Sequence, residues 1–97
     1  MVPRFTRTPS DHQVPKHGSV ELQCGARGDP PPIIRWFRNT APVVTNDRTF
    51  ISEEGDLAIY NITFIDEGLY ECIAENLAGT ARTYARVTVL GKYQHQS

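Results

Sequence analysis

Two cysteines, Cys24 and Cys72, constrain the fold of this chain most, because each lies in a segment where apolar and polar residues alternate. The apolar faces of these segments consist of Val20, Leu22 and Cys24 in the first and Tyr70, Cys72 and Ala74 in the second. A period of two with one apolar face is typical of half-buried antiparallel strands. If the cysteines pair, their bond joins two facing sheets through the core and closes a loop of about 49 residues. Closing such a loop stabilises a fold by about 4 kcal/mol.

The rest of the chain repeats this alternating pattern. The apolar positions that share an inward face within their segments are Ile34 with Trp36, Leu57 with Ile59, and Ala85 with Val87 and Val89. Turn residues interrupt the chain at intervals of about 8–12 residues, the spacing expected of an all-β sandwich. Residues 57–62 are predicted to form one strand, with Ile62 covering the core at its end. The sequence therefore predicts many short strands.

Length and charge limit what the chain can do. Its 97 residues correspond to one domain, and a domain of this size buries only roughly 60–70% of its unfolded surface, so the core is thin. The net charge of -1 gives no general attraction to nucleic acid or anionic membranes. No apolar run reaches the ~18–20 residues that span a bilayer, so we expect no membrane insertion by this fragment.

The two ends of the chain differ from its centre. The start, Met1-Val2-Pro3-Arg4, lacks the apolar stretch of a signal peptide, and we expect Met1 to be an added start codon on an excised fragment. Residues 92–97 show no pattern and are interpreted as a linker or tail. We therefore place the domain at residues 1–91.

Several coincident motifs resemble the immunoglobulin superfamily over nearly the whole chain. Cys24, Trp36 and Cys72 match its cysteine–tryptophan–cysteine frame, and residues 66–72, DEGLYEC, match its D-x-G-x-Y-x-C motif. The resemblance implies a two-sheet antiparallel Greek-key sandwich with one inter-sheet disulfide between Cys24 and Cys72. It also implies that Trp36 packs against this bridge and that the Tyr70 hydroxyl bonds to upstream backbone.

The resemblance narrows to the intermediate, or I-set, class. The cysteine separation is too short for the two extra strands of a variable-type domain, and residues 28–36, 56–59 and 74–79 are similar to I-set sequences. In that class the first strand is often split, and Pro9 and Pro15 suit such a break because proline removes a ladder donor. Arg48 and Asp66 match a pair that closes the bottom of the sandwich, so we predict a salt bridge between them.

Asn61-Ile62-Thr63 is an N-glycosylation sequon. Strand alternation would point Asn61 outward, and we predict a glycan there in an extracellular parent protein. Chance occurrence is the alternative, because the tripeptide is common.

Arg27-Gly28-Asp29 spells an integrin-binding tripeptide. Glycine, aspartate and proline are also ordinary turn residues, and three prolines stiffen the segment that follows. We therefore interpret the tripeptide as turn chemistry and do not expect an integrin partner.

The outer face of the central sheet is the candidate partner-binding surface. Its predicted outward residues are Arg35, Phe37, Ile73, Glu75, Tyr84 and Arg86. Aromatic residues and arginines are enriched at interfaces, so this face could dock another immunoglobulin-like domain or an extracellular ligand. Scattered exposed apolar residues are also normal on any surface, and that alternative stays open.

No pattern points to catalysis or to a cofactor. His12, His17 and His95 lack the spacing of metal ligands. No serine, cysteine or carboxylate pair forms a nucleophile or acid–base motif, and no basic aromatic groove suggests nucleic-acid binding. We therefore predict no enzyme activity, no cofactor and no metal site.

The resemblance implies a recognition or spacer module of a multidomain adhesion molecule, guidance or phosphatase-type receptor, or matrix protein. Fold alone does not fix function, so two alternatives remain. One is an intracellular domain of a muscle or cytoskeletal filament protein, in which the cysteines would usually stay reduced. The other is an accessory domain of a secreted matrix enzyme such as a peroxidase.

Overall fold

The computed structural model describes residues 1–91, in which ten short strands account for nearly all regular structure. The expected linker, residues 92–97, lies outside the described residues. The strands are β1 (Arg4–Arg7), β2 (His12–Pro15), β3 (Val20–Leu22), β4 (Gly25–Arg27), β5 (Ile33–Arg38), β6 (Ala41–Pro42), β7 (Thr49–Ile51), β8 (Leu57–Ile59), β9 (Gly68–Asn76) and β10 (Gly79–Leu90). A short 3₁₀ helix, Phe64–Asp66, precedes β9.

The strands form two layers, which confirms the all-β sandwich. One layer is a five-stranded sheet in the order β2-β10-β9-β5-β6. The other contains the three-stranded sheet β3-β8-β7, and β4 pairs with β1 beside it. All of these pairs are antiparallel except β2 with β10.

The first strand is split, as the sequence predicts. β1 pairs with β4, whereas β2 pairs with β10 in the opposite layer. The chain crosses between the layers at residues 8–11, which include Pro9. Pro15 plays a different part, because it ends β2 just before a turn in which His17 has a φ of 75°.

The core lies between the layers and contains the disulfide. Cys24 and Cys72 are fully buried and bonded, with 6.6 Å between their Cα atoms. Trp36 is 3% exposed and its indole Nε1 donates to the Gly55 carbonyl oxygen at 2.7 Å, so its polar atom is satisfied. The other buried apolar side chains include Val14, Val20, Leu22, Leu57, Ile59, Ile62, Tyr70, Ala85, Val87 and Val89.

Two predicted strands are shorter than expected. Residues 57–62 do not form one strand, because β8 ends at Ile59 and the chain then bends so that Ile62 turns into the core. The Ile62 N–H donates to the Gly18 carbonyl oxygen at 2.9 Å in this bend. Near the first cysteine, β3 ends at Leu22, and the Cys24 N–H donates to the Asp56 carboxylate at 3.0 Å instead of to a neighbouring strand.

Candidate functional site

The outer face of the five-stranded sheet carries the predicted partner-binding residues. Arg35 on β5 and Tyr84 and Arg86 on β10 are exposed, and Tyr84 exposes 51% of its surface. Phe37 on β5 is half-buried. Glu75 on β9 is exposed as well, so strand alternation places five of the six predicted residues where a partner could reach them.

Ile73 is the exception, and its prediction as an exposed contact is wrong. It lies on the outer face, opposite Arg35 of β5 on one side and Arg82 of β10 on the other, yet it is only 7% exposed. Arg35 forms an ion pair with Glu75, and Arg82 forms one with Glu71 at 2.9 Å. These four long side chains surround Ile73 and cover it, as arginine stems commonly do over apolar surface.

The outer face is therefore largely charge-paired. The Tyr84 hydroxyl hydrogen-bonds to the Glu71 carboxylate, which raises the pKa of Tyr84, with smaller contributions from desolvation and the Glu71 charge. The same hydrogen-bonding carboxylate raises the pKa of Arg82. Among residues 1–91, the Arg86 guanidinium has no acidic partner at ion-pair distance. It is thus the cation of this face most open to a partner.

Asn61 of the sequon is exposed, but strand alternation is not the reason. It lies in the bend after β8 with a left-handed φ of 52°, a conformation that asparagine tolerates better than most residues. Its Oδ1 lies 3.2 Å from His17 Nδ1, so this contact uses the amide oxygen and not the Nδ2 atom that a glycan would modify. The exposed rings of Phe50 and Tyr60 form an edge-to-face pair beside it, with centroids 5.9 Å apart. Glycosylation of Asn61 stays a prediction.

The Arg27-Gly28-Asp29 tripeptide is held against the amino terminus. The Met1 ammonium donates to the Asp29 carbonyl oxygen at 2.7 Å, and the Asp29 N–H donates to the Met1 carbonyl oxygen at 3.2 Å. Asn76 Nδ2 donates to the carbonyl oxygens of Met1 and Pro30, each at 2.8 Å. These bonds tie the tripeptide to its neighbours, which is consistent with turn chemistry rather than a mobile recognition loop.

Arg48 and Asp66 form a bidentate ion pair at the base of the sandwich. Arg48 Nη1 lies 3.2 Å from Asp66 Oδ2, and Nη2 lies 3.3 Å from Oδ1. Arg48 Nη1 also donates to the carbonyl oxygens of Tyr60 and Asn61. The hydrogen bond that Arg48 donates to the Asp66 carboxylate raises the pKa of Arg48, opposed in part by desolvation. This arrangement fastens the bend after β8 to the 3₁₀ helix.

Tyr70 is joined to this pair through the main chain of Asp66. Its hydroxyl donates to the Asp66 carbonyl oxygen at 2.5 Å, the upstream backbone bond that the resemblance implies. Burial raises the pKa of Tyr70 to about 12, because the ionised ring would be poorly solvated. Asp66 thus joins Arg48 through its carboxylate and Tyr70 through its main chain.

Two polar centres were missed by sequence reasoning. Asp56 joins Arg7 to the backbone of Cys24, and Asn76 joins the amino terminus to the hairpin that follows β9. Both residues lie in segments that are similar to I-set sequences, and this similarity was the only indication in the sequence that they have a structural role. Their partners come from distant parts of the chain, so no local pattern assigned them a role.

Two observations bear on metal and membrane binding. Within residues 1–91, no three histidine, cysteine or acidic side chains are grouped as metal ligands would be. His12 Nδ1 lies 2.8 Å from the Ser10 carbonyl oxygen, His17 contacts Asn61, and His95 lies outside the described residues. In the same part of the chain, no helix has the length and apolar character needed to cross a bilayer.

Residues 3–89 match the model of the Immunoglobulin I-set domain family. The chain is an immunoglobulin I-set domain. The match covers both layers of the sandwich, from the residue before β1 to the penultimate residue of β10. It confirms the family and the class that the sequence motifs indicate.

Similar domains occur in much longer proteins. The I-set domain is 38% identical over 87 residues to human Roundabout homolog 1, covering 90% of this chain and 5% of that protein. It is 36% identical over 88 residues to human peroxidasin homolog, covering 91% of this chain and 6% of that protein. The I-set domain thus spans only a small part of the relatives that it matches.

A solved structure shows the same fold in a complex of immunoglobulin domains. A chain from the crystal structure of a titin–obscurin-like 1 immunoglobulin-domain complex superposes with a TM-score of 0.86 at 33% identity. The superposition covers 92% of this chain and 94% of that chain. In that complex, two immunoglobulin domains bind each other.

Proposed function

We propose that the I-set domain is a non-catalytic recognition or spacer module of a multidomain extracellular adhesion or receptor protein. The observation that carries this proposal is the buried Cys24–Cys72 disulfide, because disulfides persist mainly in oxidising compartments such as the cell exterior. Similarity to Roundabout homolog 1 supports the receptor context. The exposed sequon at Asn61 supports the same compartment.

The proposed mechanism is rigid surface presentation. The disulfide and the Arg48–Asp66 ion pair hold the two layers and their loops in one arrangement, so little conformational freedom is lost when a partner binds. The outer face of the five-stranded sheet offers Phe37, Tyr84 and Arg86 to a neighbouring or opposing immunoglobulin-like domain. An aromatic ring and an unpaired guanidinium are common anchors at such interfaces.

The compartment is tested on the parent protein purified from its native source. We expect no free thiol at Cys24 or Cys72, and a mass shift on the Asn61 peptide that a glycosidase removes. The Thr63→Ala variant, which destroys the sequon but keeps Asn61, should lose that shift. Two free thiols together with an unmodified Asn61 would refute the extracellular assignment.

The docking face is tested with beads coated with the full parent ectodomain. We expect the beads to aggregate, and Tyr84→Asp or Phe37→Asp to reduce aggregation strongly because a charge is placed in the apolar part of the contact. Arg4→Ala, an exposed change outside this face, serves as the control. Equal aggregation of all three variants would remove the face from the proposal.

Two other contexts are each favoured by one comparison. Similarity to peroxidasin homolog favours an accessory domain of a larger secreted enzyme, and the titin complex favours an intracellular filament domain. The thiol assay separates the filament context from the extracellular ones. The flanking sequence of the parent protein separates receptor from enzyme, because a transmembrane helix and a catalytic region are both visible there.

A further inference from the structure

Half of the longest strand has a neighbour on one side only. β10 runs from Gly79–Leu90, and β9 pairs with it from Gly79 to Val87. On the other side, β2 covers only residues 87–90. Within the described chain, no strand pairs with residues 80–85 on that side. We call residues 80–85 the open edge.

The main-chain groups of the open edge point toward solvent at alternate residues. The Arg86 N–H faces this side, because it donates to the Asp11 carboxylate at 2.8 Å. In a regular strand the N–H and C=O groups of every second residue point to the same side. Those of Tyr84, Arg82 and Thr80 therefore face outward as well, whereas those of Ala81 and Thr83 bond to β9.

The open edge has few of the features that normally block strand pairing. Proteins protect edges with very short strands, prolines, bulges or charged residues. β10 contains no proline, and its register with β9 is continuous from Gly79 to Val87 without a bulge. Asp11 covers one end at Arg86, and Val2 lies beside Gly79 at the other. Between them, about 20 Å of regular strand remains, enough for a six-residue partner strand.

The side chains beside the open edge specify the partner's chemistry. On the outer side, Arg82 and Arg86 flank Tyr84, and all three are exposed; Arg82 is ion-paired with Glu71, whereas Arg86 has no acidic partner within residues 1–91. On the inner side, the small side chains of Ala81 and Thr83 leave room for β-branched apolar residues. Opposite charges on facing strands are favourable. A strand with acidic residues facing outward and apolar residues facing inward would complement both sides.

A second copy of this chain brings like charges together in one self-paired register of the open edge. The antiparallel register that pairs residues 80–84 with themselves puts Arg82 directly opposite Arg82 of the second copy. Like charges at directly opposed positions destabilise strand pairing. The arginines therefore disfavour this self-paired register and favour an acidic strand, and a second copy is tested as the alternative occupant.

We propose that the open edge of β10 binds an extended acidic segment of a partner protein by β-strand addition. The added strand extends the five-stranded sheet beside β10 and takes hydrogen bonds from Arg82 and Tyr84. This surface lies along one border of the outer sheet face, and the side chains of Arg82, Tyr84 and Arg86 belong to both, but the proposed bonds are made by the main chain of β10. It does not rest on the extracellular assignment, because the geometry of the edge is the same in any compartment.

The test uses the isotope-labelled 97-residue chain and an acetylated, amidated hexapeptide of alternating valine and glutamate. We expect the exchange of the Arg82 and Tyr84 amide protons with solvent to slow about tenfold when peptide is bound. The amide protons of Ala81 and Thr83 should change little, because they already donate to β9. This alternating protection distinguishes strand addition from contact with the outer face.

Matched peptides and variants separate backbone pairing from charge. A peptide with an N-methyl group at every residue has no N–H to donate from either edge, so it cannot form the ladder and should not protect the amides. Replacing glutamate with lysine should weaken binding about tenfold, and Arg86→Glu should reduce or reverse this preference. Arg4→Glu, an exposed charge change on β1, should leave the preference unaltered.

Three outcomes would overturn the proposal. The first is that the amide protons of Arg82 and Tyr84 show no added protection at peptide concentrations up to about 1 mM, which would mean a Kd weaker than about 1 mM. The second is equal binding by the N-methylated peptide. The third is protection of the same amides that grows with protein concentration in the absence of peptide, which would identify a second copy as the occupant.

Discussion

Arg7 and Asp56 form an ion pair, with 2.5 Å between Nη1 and Oδ1, that satisfies the backbone of the first disulfide cysteine. Asp56 Oδ1 accepts the Cys24 N–H at 3.0 Å, and Arg7 Nη2 donates to the Cys24 carbonyl oxygen at 3.2 Å. Cys24 lies where the chain passes from β3 to β4 and has no strand partner. Because buried main-chain groups need partners, this pair allows the strand to be interrupted beside the disulfide.

Replacing Asp56 with alanine should therefore destabilise the fold by about 2–3 kcal/mol, because a buried N–H and a guanidinium both lose their acceptor. Denaturant unfolding measures this change. Glu53→Ala removes an exposed carboxylate from the same turn and should cost almost nothing. Similar losses in the two variants would show that Asp56 acts only through the general charge of the turn.

Removing the disulfide should cost about 2–5 kcal/mol and prevent stable folding near body temperature, because the core of so small a domain is thin. The double variant Cys24→Ala, Cys72→Ala avoids leaving a free thiol, and its melting temperature measures the effect. Reducing the wild-type protein should give a similar loss. An unchanged melting temperature would contradict the structural importance of the bridge.

The two arginine pairs should differ in their contribution to stability. The side chains of Arg48 and Asp66 are 26% and 11% exposed, whereas those of Arg35 and Glu75 are 55% and 48% exposed. Arg48→Ala leaves a largely buried carboxylate without its cation and with only the Thr63 N–H as a donor, so we expect a loss of about 2–3 kcal/mol. Arg35→Ala should cost no more than about 1 kcal/mol. The reverse order in chemical unfolding would be incompatible with this burial argument.

Tyr70 should make the fold sensitive to alkaline pH. Its pKa rises from 10.0 to about 12 on folding, because burial disfavours the ionised ring. The folded state holds this proton more tightly than the unfolded state, so the contribution to stability is complete below pH 10 and is lost as pH rises toward 12. The expected loss is roughly 2–3 kcal/mol. Tyr70→Phe should lose less stability than wild type over the same interval, and parallel unfolding curves would argue against the shift.

The strands could be predicted because their alternation is a local signal, and the disulfide could be predicted because the resemblance to the immunoglobulin family implied it. Alternation placed Val20, Leu22 and Cys24 on one face, and burial of all three confirms it. Trp36 and Tyr70 were identified by the family motifs that contain them. In the structure the Trp36 indole donates to the Gly55 carbonyl oxygen and the Tyr70 hydroxyl donates to the Asp66 carbonyl oxygen. The Arg48–Asp66 pair came from the same resemblance.

The alternating pattern did not predict exposure correctly where a residue's environment depends on neighbours that are distant in sequence. Ile73 has the alternation of an exposed residue, but it is buried between two ion pairs that join β9 to arginines of the adjacent strands. Asn61 is exposed because the chain bends after β8, a bend fixed by contacts with Gly18 and Arg48.

The sequence by itself thus determined the fold class, the disulfide and the inward residues, because a two-residue period and a few motifs are enough to specify them. The tertiary structure alone decided which surfaces are available. The open edge exists because β2 is shorter than β10, and Asp56 has a role because folding brings Arg7 and Cys24 to it. Both depend on strand order and length, which are set by contacts between distant residues rather than by the pattern within any one segment.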